Sequence, residues 1–299
     1  LKPKIIISSI EHESVLETAR DLEKGGAEVV YIPVDKNGVV SVKKIKEALD
    51  EKTILVSVMY VNNEIGSVQP IAEISELIRN WKLKIKNSSG YPLVHTDAAQ
   101  ALNYFDCDIK KLGVDLMTLS GQKIYGPKGI GALFVKNQNF GSDFIAPIIT
   151  GGGQEFGLRS GTENVPLIVG FAKAAELAVR ERKGNAKKVE SLKNHFWRGL
   201  KKSYPEAETN GDSKTPHILN IYFPTEFAGD LLIKLDLAGV AVSSGSACSA
   251  RSYSPSYVLQ ALGLSPERVR GSLRFSFGKM TSQEELNRAL KILGEILNS

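Results

Sequence analysis

The chain of 299 residues is 42% hydrophobic, 24% charged and 7% aromatic, a globular composition that excludes disordered, collagen-like and disulfide-scaffold proteins. A chain of this length forms one large domain, or a large and a small one, because single cores stop growing near this size. The formal charge of +5 is spread along the sequence, and its densest cluster, 180–188, mixes acids with bases; we therefore expect no nucleic-acid-binding face.

Short apolar runs alternate with longer amphipathic runs through the first half of the chain. This alternation predicts a mostly parallel α/β sheet covered on both faces. Gly25-Gly26 ends the first helix and Pro70 begins the third, as these residue types commonly do. The predicted strands are 4–8, 27–32, 54–60, 93–96, 116–119 and 131–135, and the predicted helices are 14–24, 42–49 and 70–81.

The second half has a different pattern, which predicts a smaller α+β domain. We predict a large domain over 1–178 and a small domain over 179–299. A helical pattern over 165–183 continues after Gly184-Asn185 through 186–202. Further helices are predicted at 230–238, at 256–262 and from Thr281 onward, and strands at 218–223 and 272–277.

The sequence also bears on location and on what precedes Leu1. The chain begins Leu1-Lys2-Pro3-Lys4, which we interpret as a fragment or as lacking something that belongs before it. No stretch approaches the roughly 20 apolar residues of a membrane span, and nothing resembles a signal peptide. Cys107 and Cys248 have neither metal-ligand nor redox spacing. We therefore expect free thiols, no metal site, no membrane contact and a cytoplasmic location.

Polar residues follow three of the predicted strands, at 62–64, 97–100 and 120–123. Ligands of open α/β sheets bind beyond the carboxyl ends of the strands. The sequence therefore predicts a binding site where these three segments meet.

Two of these segments allow more than one interpretation. Lys123, in a Gly- and Pro-rich run, can bind phosphate, form a Schiff base, or be a surface lysine on a plain turn. Asp97 can cap the following helix or pair with a protonated ring nitrogen, as acids do beside pyridoxal cofactors. His95 alone is interpreted as a core histidine with satisfied hydrogen bonds.

The two cysteines differ in their surroundings. Cys248 lies in a loop of small polar residues, Ser243-Ser244-Gly245-Ser246-Ala247-Cys248-Ser249, where a thiol is exposed enough to react. Cys107 has Asp106 and Asp108 as neighbours, and their negative charge disfavours a thiolate. Cys248 is therefore the candidate reactive thiol.

Seven motifs occur in an order that resembles the NifS/IscS-type cysteine desulfurases, which depend on pyridoxal phosphate and have the aspartate-aminotransferase fold (fold type I). The resemblance covers essentially the whole chain. The motifs are His12 in Glu11-His12-Glu13-Ser14-Val15-Leu16, Asn62-Asn63-Glu64-Ile65-Gly66, His95-Thr96-Asp97-Ala98-Ala99-Gln100, the run 120–131, Gly151-Gly152-Gly153-Gln154-Glu155, Arg159-Ser160-Gly161-Thr162 and Ser243-Ser244-Gly245-Ser246-Ala247-Cys248.

The resemblance implies roles around the cofactor ring. Lys123 would form the Schiff base with pyridoxal phosphate and later move protons on the substrate carbon. Asp97 would pair with the pyridinium nitrogen and keep it protonated. Gln100 would hydrogen-bond the ring hydroxyl, and His12 would stack on the ring and act as an acid and base.

The resemblance also implies roles toward phosphate and substrate. Ser120 and Gln122 would hold the phosphate, and Thr162 would reach it from the second subunit of a homodimer. Asn63 and Arg274 would bind the carboxylate of L-cysteine, the arginine as a bidentate fork.

Cys248 would attack the sulfur of bound cysteine, become a persulfide and leave alanine. The family then passes sulfur to an acceptor or scaffold protein for iron–sulfur clusters or tRNA thiolation. Two other interpretations stay open. One is a selenocysteine lyase or another amino-acid β-lyase with the same cofactor, and the other is a catalytically impaired scaffold or binding subunit.

The chain departs from the family pattern in two places. Gln122 stands where the family usually has a histidine before the Schiff-base lysine, and its amide still donates to phosphate, so we expect tuning rather than loss. The family also has a segment before the position of Leu1 that carries a Gly/Thr phosphate-binding turn. We expect a separate piece to supply this turn, or else weaker cofactor binding and dimerisation.

Overall fold

The computed structural model describes residues 2–86, 90–136, 145–224, 226–245 and 255–298. The strands are β1 (Lys4–Ser8), β2 (Glu28–Ile32), β3 (Thr53–Ser57), β4 (Leu93–Asp97), β5 (Leu116–Ser120), β6 (Gly131–Val135), β7 (Glu208–Thr209), β8 (Ile218–Tyr222) and β9 (Ser272–Ser276). The helices are α1 (Glu13–Lys24), α2 (Val42–Ala48), α3 (Ile71–Lys84), α4 (Ile109–Leu112), α5 (Val165–Ser203), α6 (Ala228–Leu237), α7 (Tyr257–Ala261), α8 (Pro266–Arg270) and α9 (Gln283–Leu297).

The larger sheet has six strands in the order β2-β1-β3-β4-β5-β6. The first five strands run parallel, and β6 pairs antiparallel with β5. Apolar side chains from the strands and from α2 and α3 form its main core, with Ile6, Val56 and Ile74 fully buried. The predicted mostly parallel α/β sheet is therefore confirmed.

Side-chain caps fix where several helices begin. His12 caps α1 by accepting a hydrogen bond from the Ser14 amide. Ser282 and Glu285 form a reciprocal capping box at the start of α9, which satisfies two of the amides that a helix leaves unpaired at its N-terminus. The His12 cap makes α1 begin a few residues after the carboxyl end of β1.

The smaller sheet is antiparallel, in the order β7-β8-β9. One uninterrupted helix, α5, runs past Gly184 and contributes to both cores. Its Ala174 and Ala178 pack with Leu102 and Ile124, whereas its second half packs against the smaller sheet. The proposed domain boundary after residue 178 falls within α5.

The helices of the described residues do not include one with both the length and the apolar composition that crossing a membrane requires. Five short elements have no counterpart in the predictions: α4, α8, β7 and the 3-10 turns at Gly121–Ile124 and Glu155–Gly157. Each spans five residues or fewer, too short to show a hydrophobic period.

Candidate functional site

The site lies at one edge of the larger sheet, beyond the carboxyl ends of adjacent parallel strands. His12 follows β1, Asn63 follows β3, Asp97 ends β4, and Ser120 ends β5. In the order of the sheet these strands are direct neighbours. The predicted meeting of polar segments at this edge is therefore present.

Lys123 is held on a tight turn directly after β5. Its carbonyl accepts a hydrogen bond from Asn103 Nδ2 at 2.8 Å, while its side chain and that of Gln122 are exposed. Gly121 packs so closely that an added Cβ would lie 2.8 Å from the Pro127 carbonyl oxygen. The backbone of this turn is thus fixed, and the lysine amine projects from it.

Asp97 and His95 alternate along β4 and have different surroundings. Asp97 Oδ1 accepts a hydrogen bond from the Ala99 amide at 2.9 Å, so one carboxylate oxygen stabilises the turn that follows the strand. His95 lies between Ser57 Oγ, 2.8 Å from Nδ1, and Thr118 Oγ1, 2.9 Å from Nε2. Burial lowers the pKa of His95, and its interpretation as a satisfied core histidine is confirmed.

Arg274, on β9, connects the smaller sheet to the loop after β3. Its Nη1 donates to the Asn63 carbonyl at 2.9 Å. The Asn63 side chain is buried, and its Oδ1 has no hydrogen-bond partner among the described residues. The Arg274 guanidinium therefore lies against the backbone of Asn63, and the two side chains carry the N–H donors that a carboxylate accepts.

Glu64, next to Asn63, is a buried acid that the sequence did not single out. Its Oε2 accepts a hydrogen bond from Ser256 Oγ at 2.5 Å. Burial raises the pKa of Glu64, although the Arg274 charge opposes this rise. Its charged residue type favours the surface, whereas Ser256 and Asn220, both far along the chain, contact it in the fold.

Gln100 has a partner that sequence reasoning also missed. Its Oε1 lies 3.2 Å from Nε2 of His217, a buried histidine immediately before β8. Burial, with the positive charges of Lys193 and Arg274, lowers the pKa of His217 to about 3. A short Thr-Pro-His segment before an apolar run was the only local signal.

His12 is half-buried, and its Nδ1 lies 2.9 Å from Ser14 Oγ. Its neighbour Glu11 is fully buried, and its Oε1 accepts hydrogen bonds from Ser8 Oγ at 2.5 Å and from the Met59 amide at 2.8 Å. Burial raises the pKa of Glu11 to about 8. His12 is the N-cap of α1, and this role holds its ring just beyond the carboxyl end of β1.

Thr162 and the two cysteines have different standings in the structure. Thr162 is exposed in the segment before α5, and no side-chain hydrogen bond joins it to another candidate residue within the described ranges. Cys248 lies outside the described residues. Cys107 is a free thiol, and burial raises its pKa to about 12, which is consistent with its interpretation as unreactive.

The chemistry of these side chains fits a phosphorylated pyridine aldehyde. The Asp97 carboxylate suits a ring nitrogen that is protonated, and the Lys123 amine suits the aldehyde. The hydroxyl of Ser120 and the amide of Gln122 are phosphate donors. The buried Asn63 amide and the Arg274 guanidinium suit the carboxylate of an amino acid.

Comparisons with known proteins agree with this chemistry. The profile of the aminotransferase class-V family matches residues 2–289. The chain is 42% identical over 297 residues to the cysteine desulfurase IscS of Clostridium botulinum, covering 98% of this chain and 72% of that protein. It is 42% identical to cysteine desulfurase IscS 1 of Archaeoglobus fulgidus, covering 98% and 73%. The structure of a NifS-like protein superposes with a TM-score of 0.88 at 37% identity, covering 99% and 75%.

Proposed function

Because the chain belongs to the aminotransferase class-V family and, within it, to the IscS-type cysteine desulfurases, we propose that it converts L-cysteine to L-alanine with pyridoxal phosphate. The predicted family and the aspartate-aminotransferase-like fold are confirmed. The observation that carries the proposal is the arrangement of Asn63, Asp97 and Lys123 at one sheet edge, with Arg274 reaching Asn63 from the smaller sheet.

We assign the cofactor to the residues at this edge. Lys123 would bind its aldehyde carbon, Asp97 would hold a proton on the ring nitrogen, and Gln100 would donate to the ring hydroxyl. Ser120 and Gln122 would hold the phosphate. When bound, pyridoxal phosphate supplies an electron sink for the reacting amino acid.

The substrate is held by its carboxylate. Arg274 offers two parallel N–H donors in a fixed fork, and Asn63 adds an amide. The amine of Lys123 would then take and return a proton at the substrate α-carbon. His12, half-buried at the start of α1, serves as a second proton-transfer group.

Cys248 receives the sulfur. Its thiol forms an S–S bond to the substrate sulfur while the substrate C–S bond breaks, so the thiol is oxidised to a persulfide. The electron pair of the broken C–S bond stays with the substrate carbon, which is thereby reduced and takes up a proton to give alanine, while the Cys248 thiol gives up its own proton. The acceptor is a scaffold protein for iron–sulfur clusters or the tRNA thiolation machinery, and the location is cytoplasmic.

The test measures alanine released from L-cysteine in the presence of pyridoxal phosphate and a reductant. Cys248→Ala should abolish release, whereas Cys107→Ala is the matched control and should retain it, because that thiol is held protonated by burial. Lys123→Ala should also lose the visible absorption band of the bound cofactor, and Lys128→Ala, exposed on the same loop, should keep it. Release of alanine by the Cys248→Ala variant at the wild-type rate would contradict the proposal.

The two alternatives give different results in the same experiment. A selenocysteine lyase or another β-lyase keeps turnover of its own substrate after Cys248→Ala. A scaffold or binding subunit shows no cofactor band in the wild-type protein.

We further propose a homodimer that uses the exposed apolar surface around Thr162. Ile148 is 97% exposed, and Val165 and Val169 on α5 are more than half exposed, which is unusual for apolar side chains that stay in water. Thr162 lies between them in the chain and would reach the partner's phosphate site. Light scattering should find dimers, which Val169→Glu disrupts and Val179→Glu, farther along α5, does not.

A further inference from the structure

His217 makes one hydrogen bond with each ring nitrogen. Nδ1 lies 2.5 Å from Thr215 Oγ1, and Nε2 lies 3.2 Å from Gln100 Oε1. The ring is 8% exposed and stacks on Tyr104 with 4.4 Å between the ring centroids and an angle of 20°. A neutral ring in this position has one donor nitrogen and one acceptor nitrogen.

Thr215, the partner of His217 Nδ1, is held in place through its own backbone. The Thr215 amide donates to the Gly66 carbonyl at 3.2 Å, and its own carbonyl accepts from Lys193 Nζ at 2.7 Å. Both contacts leave the Thr215 hydroxyl available as a donor to His217 Nδ1. The imidazole therefore stays between a fixed hydroxyl and Gln100.

The partners determine the tautomer. The Gln100 amide faces Nε2 with its oxygen, which can only accept a hydrogen bond, and this arrangement calls for the ring proton on Nε2. Nδ1 is then the acceptor of the Thr215 hydroxyl hydrogen. The low pKa of His217, caused mainly by burial, keeps the ring from becoming a donor at both nitrogens.

We propose that His217 is a positioning residue that fixes the side-chain amide of Gln100 with its oxygen turned away from the cofactor and its nitrogen as the donor to the ring hydroxyl. The inference rests on the proposed function, because Gln100 is assigned to that hydroxyl. Without such a partner, the Gln100 side chain could turn either its amide oxygen or its amide nitrogen toward the cofactor. A residue of the smaller domain thereby determines whether Gln100, in the larger domain, donates or accepts the hydrogen bond with the ring hydroxyl.

The tautomer is tested without cofactor. Long-range 1H–15N NMR of the cofactor-free chain should find the ring proton of His217 on Nε2, and His217→Gln identifies the signal among four histidines. A proton on Nδ1 would overturn the proposal, because the Gln100 amide would then face His217 with its nitrogen. This measurement stands even if the chain is not a desulfurase.

The consequence is tested by titrating the full chain with pyridoxal phosphate. His217→Phe keeps an aromatic ring on Tyr104 but loses both hydrogen bonds, and it should weaken cofactor binding about threefold to tenfold. His217→Gln supplies a terminal amide donor and should restore binding to within about twofold.

The Gln100→Leu variant shows whether the effect of His217 on cofactor binding passes through Gln100. In that variant His217→Phe should have no additional effect on cofactor binding, because its effect passes through Gln100. An equal loss in both backgrounds, or unchanged binding in His217→Phe alone, would overturn the proposal. Failure of the wild-type chain to bind pyridoxal phosphate would contradict the proposed function and leave the NMR result to decide the inference.

Discussion

Glu11→Gln should change how the stability of the protein depends on pH. The Glu11 carboxyl is 0% exposed, and its Oε2 has no hydrogen-bond partner among the described residues. Burial, opposed by the hydrogen bonds from Ser8 and Met59, raises its pKa from 4.5 to about 8. The folded protein therefore keeps a proton at neutral pH that the unfolded chain has released.

The sign of the effect follows from this difference in proton binding. Between pH 4.5 and about 8 the folded state binds more protons than the unfolded state, so the contribution of Glu11 to stability falls as pH rises. The fall is about 1.4 kcal/mol per pH unit in this window. Glutamine has no proton to lose, so the stability of the variant relative to wild type rises by several kcal/mol as the window is crossed.

Urea unfolding followed by tryptophan fluorescence measures this difference at several pH values. The gap between Glu11→Gln and wild type should widen up to about pH 8 and then stay constant. Glu206→Gln is the matched control, because the same chemical change at an exposed position should give a gap that does not vary with pH. Parallel curves for Glu11→Gln and wild type would refute the reasoning.

Three further substitutions probe the site and its supports. Arg274→Lys should raise the KM for cysteine about tenfold while the protein stays folded, because lysine cannot form the bidentate fork; steady-state kinetics and circular dichroism check this. Ser256→Ala removes the cap of α7 and a buried hydrogen bond, and thermal unfolding should show a loss of about 2 kcal/mol. Gly66→Ala places a Cβ 2.3 Å from Thr215 Cγ2 at a φ of +71°, so it should destabilise more than Gly263→Ala, which has a similar φ but open space; equal losses would contradict the packing argument.

Local patterns were sufficient for the strands that carry the site. The run Ile5-Ile6-Ile7 of β1 is buried throughout, and the apolar residues of β3 are buried or half-buried. Strands of parallel sheets that are covered on both faces appear in sequence as such continuous apolar runs. The polar residues that follow them could therefore be placed at one edge. The same pattern located Asp97 and Lys123 relative to the sheet before any contact was known.

Contacts between distant segments could not be predicted in this way. Gln100 and His217 are 117 positions apart, so no local period relates them. Glu64 is buried because Ser256 and the smaller domain cover it, although its residue type favours the surface. The helical pattern was predicted to continue after Gly184-Asn185, and α5 is one helix through this point. The packing of its two halves outweighs the about 1 kcal/mol that a helical glycine costs.

The continuity of α5 also bears on how this molecule can be divided. The helix has 39 residues and is therefore roughly 60 Å long, with different cores attached to its two halves. A protease cut or a gene split between the two cores must break a helix rather than a linker. Each fragment would then carry only one half of α5, with a new helix end exposed to water. We expect limited proteolysis to spare the 165–203 region, and expression of either part alone to give insoluble material. Unfolding of one core should accordingly propagate along this helix to the other.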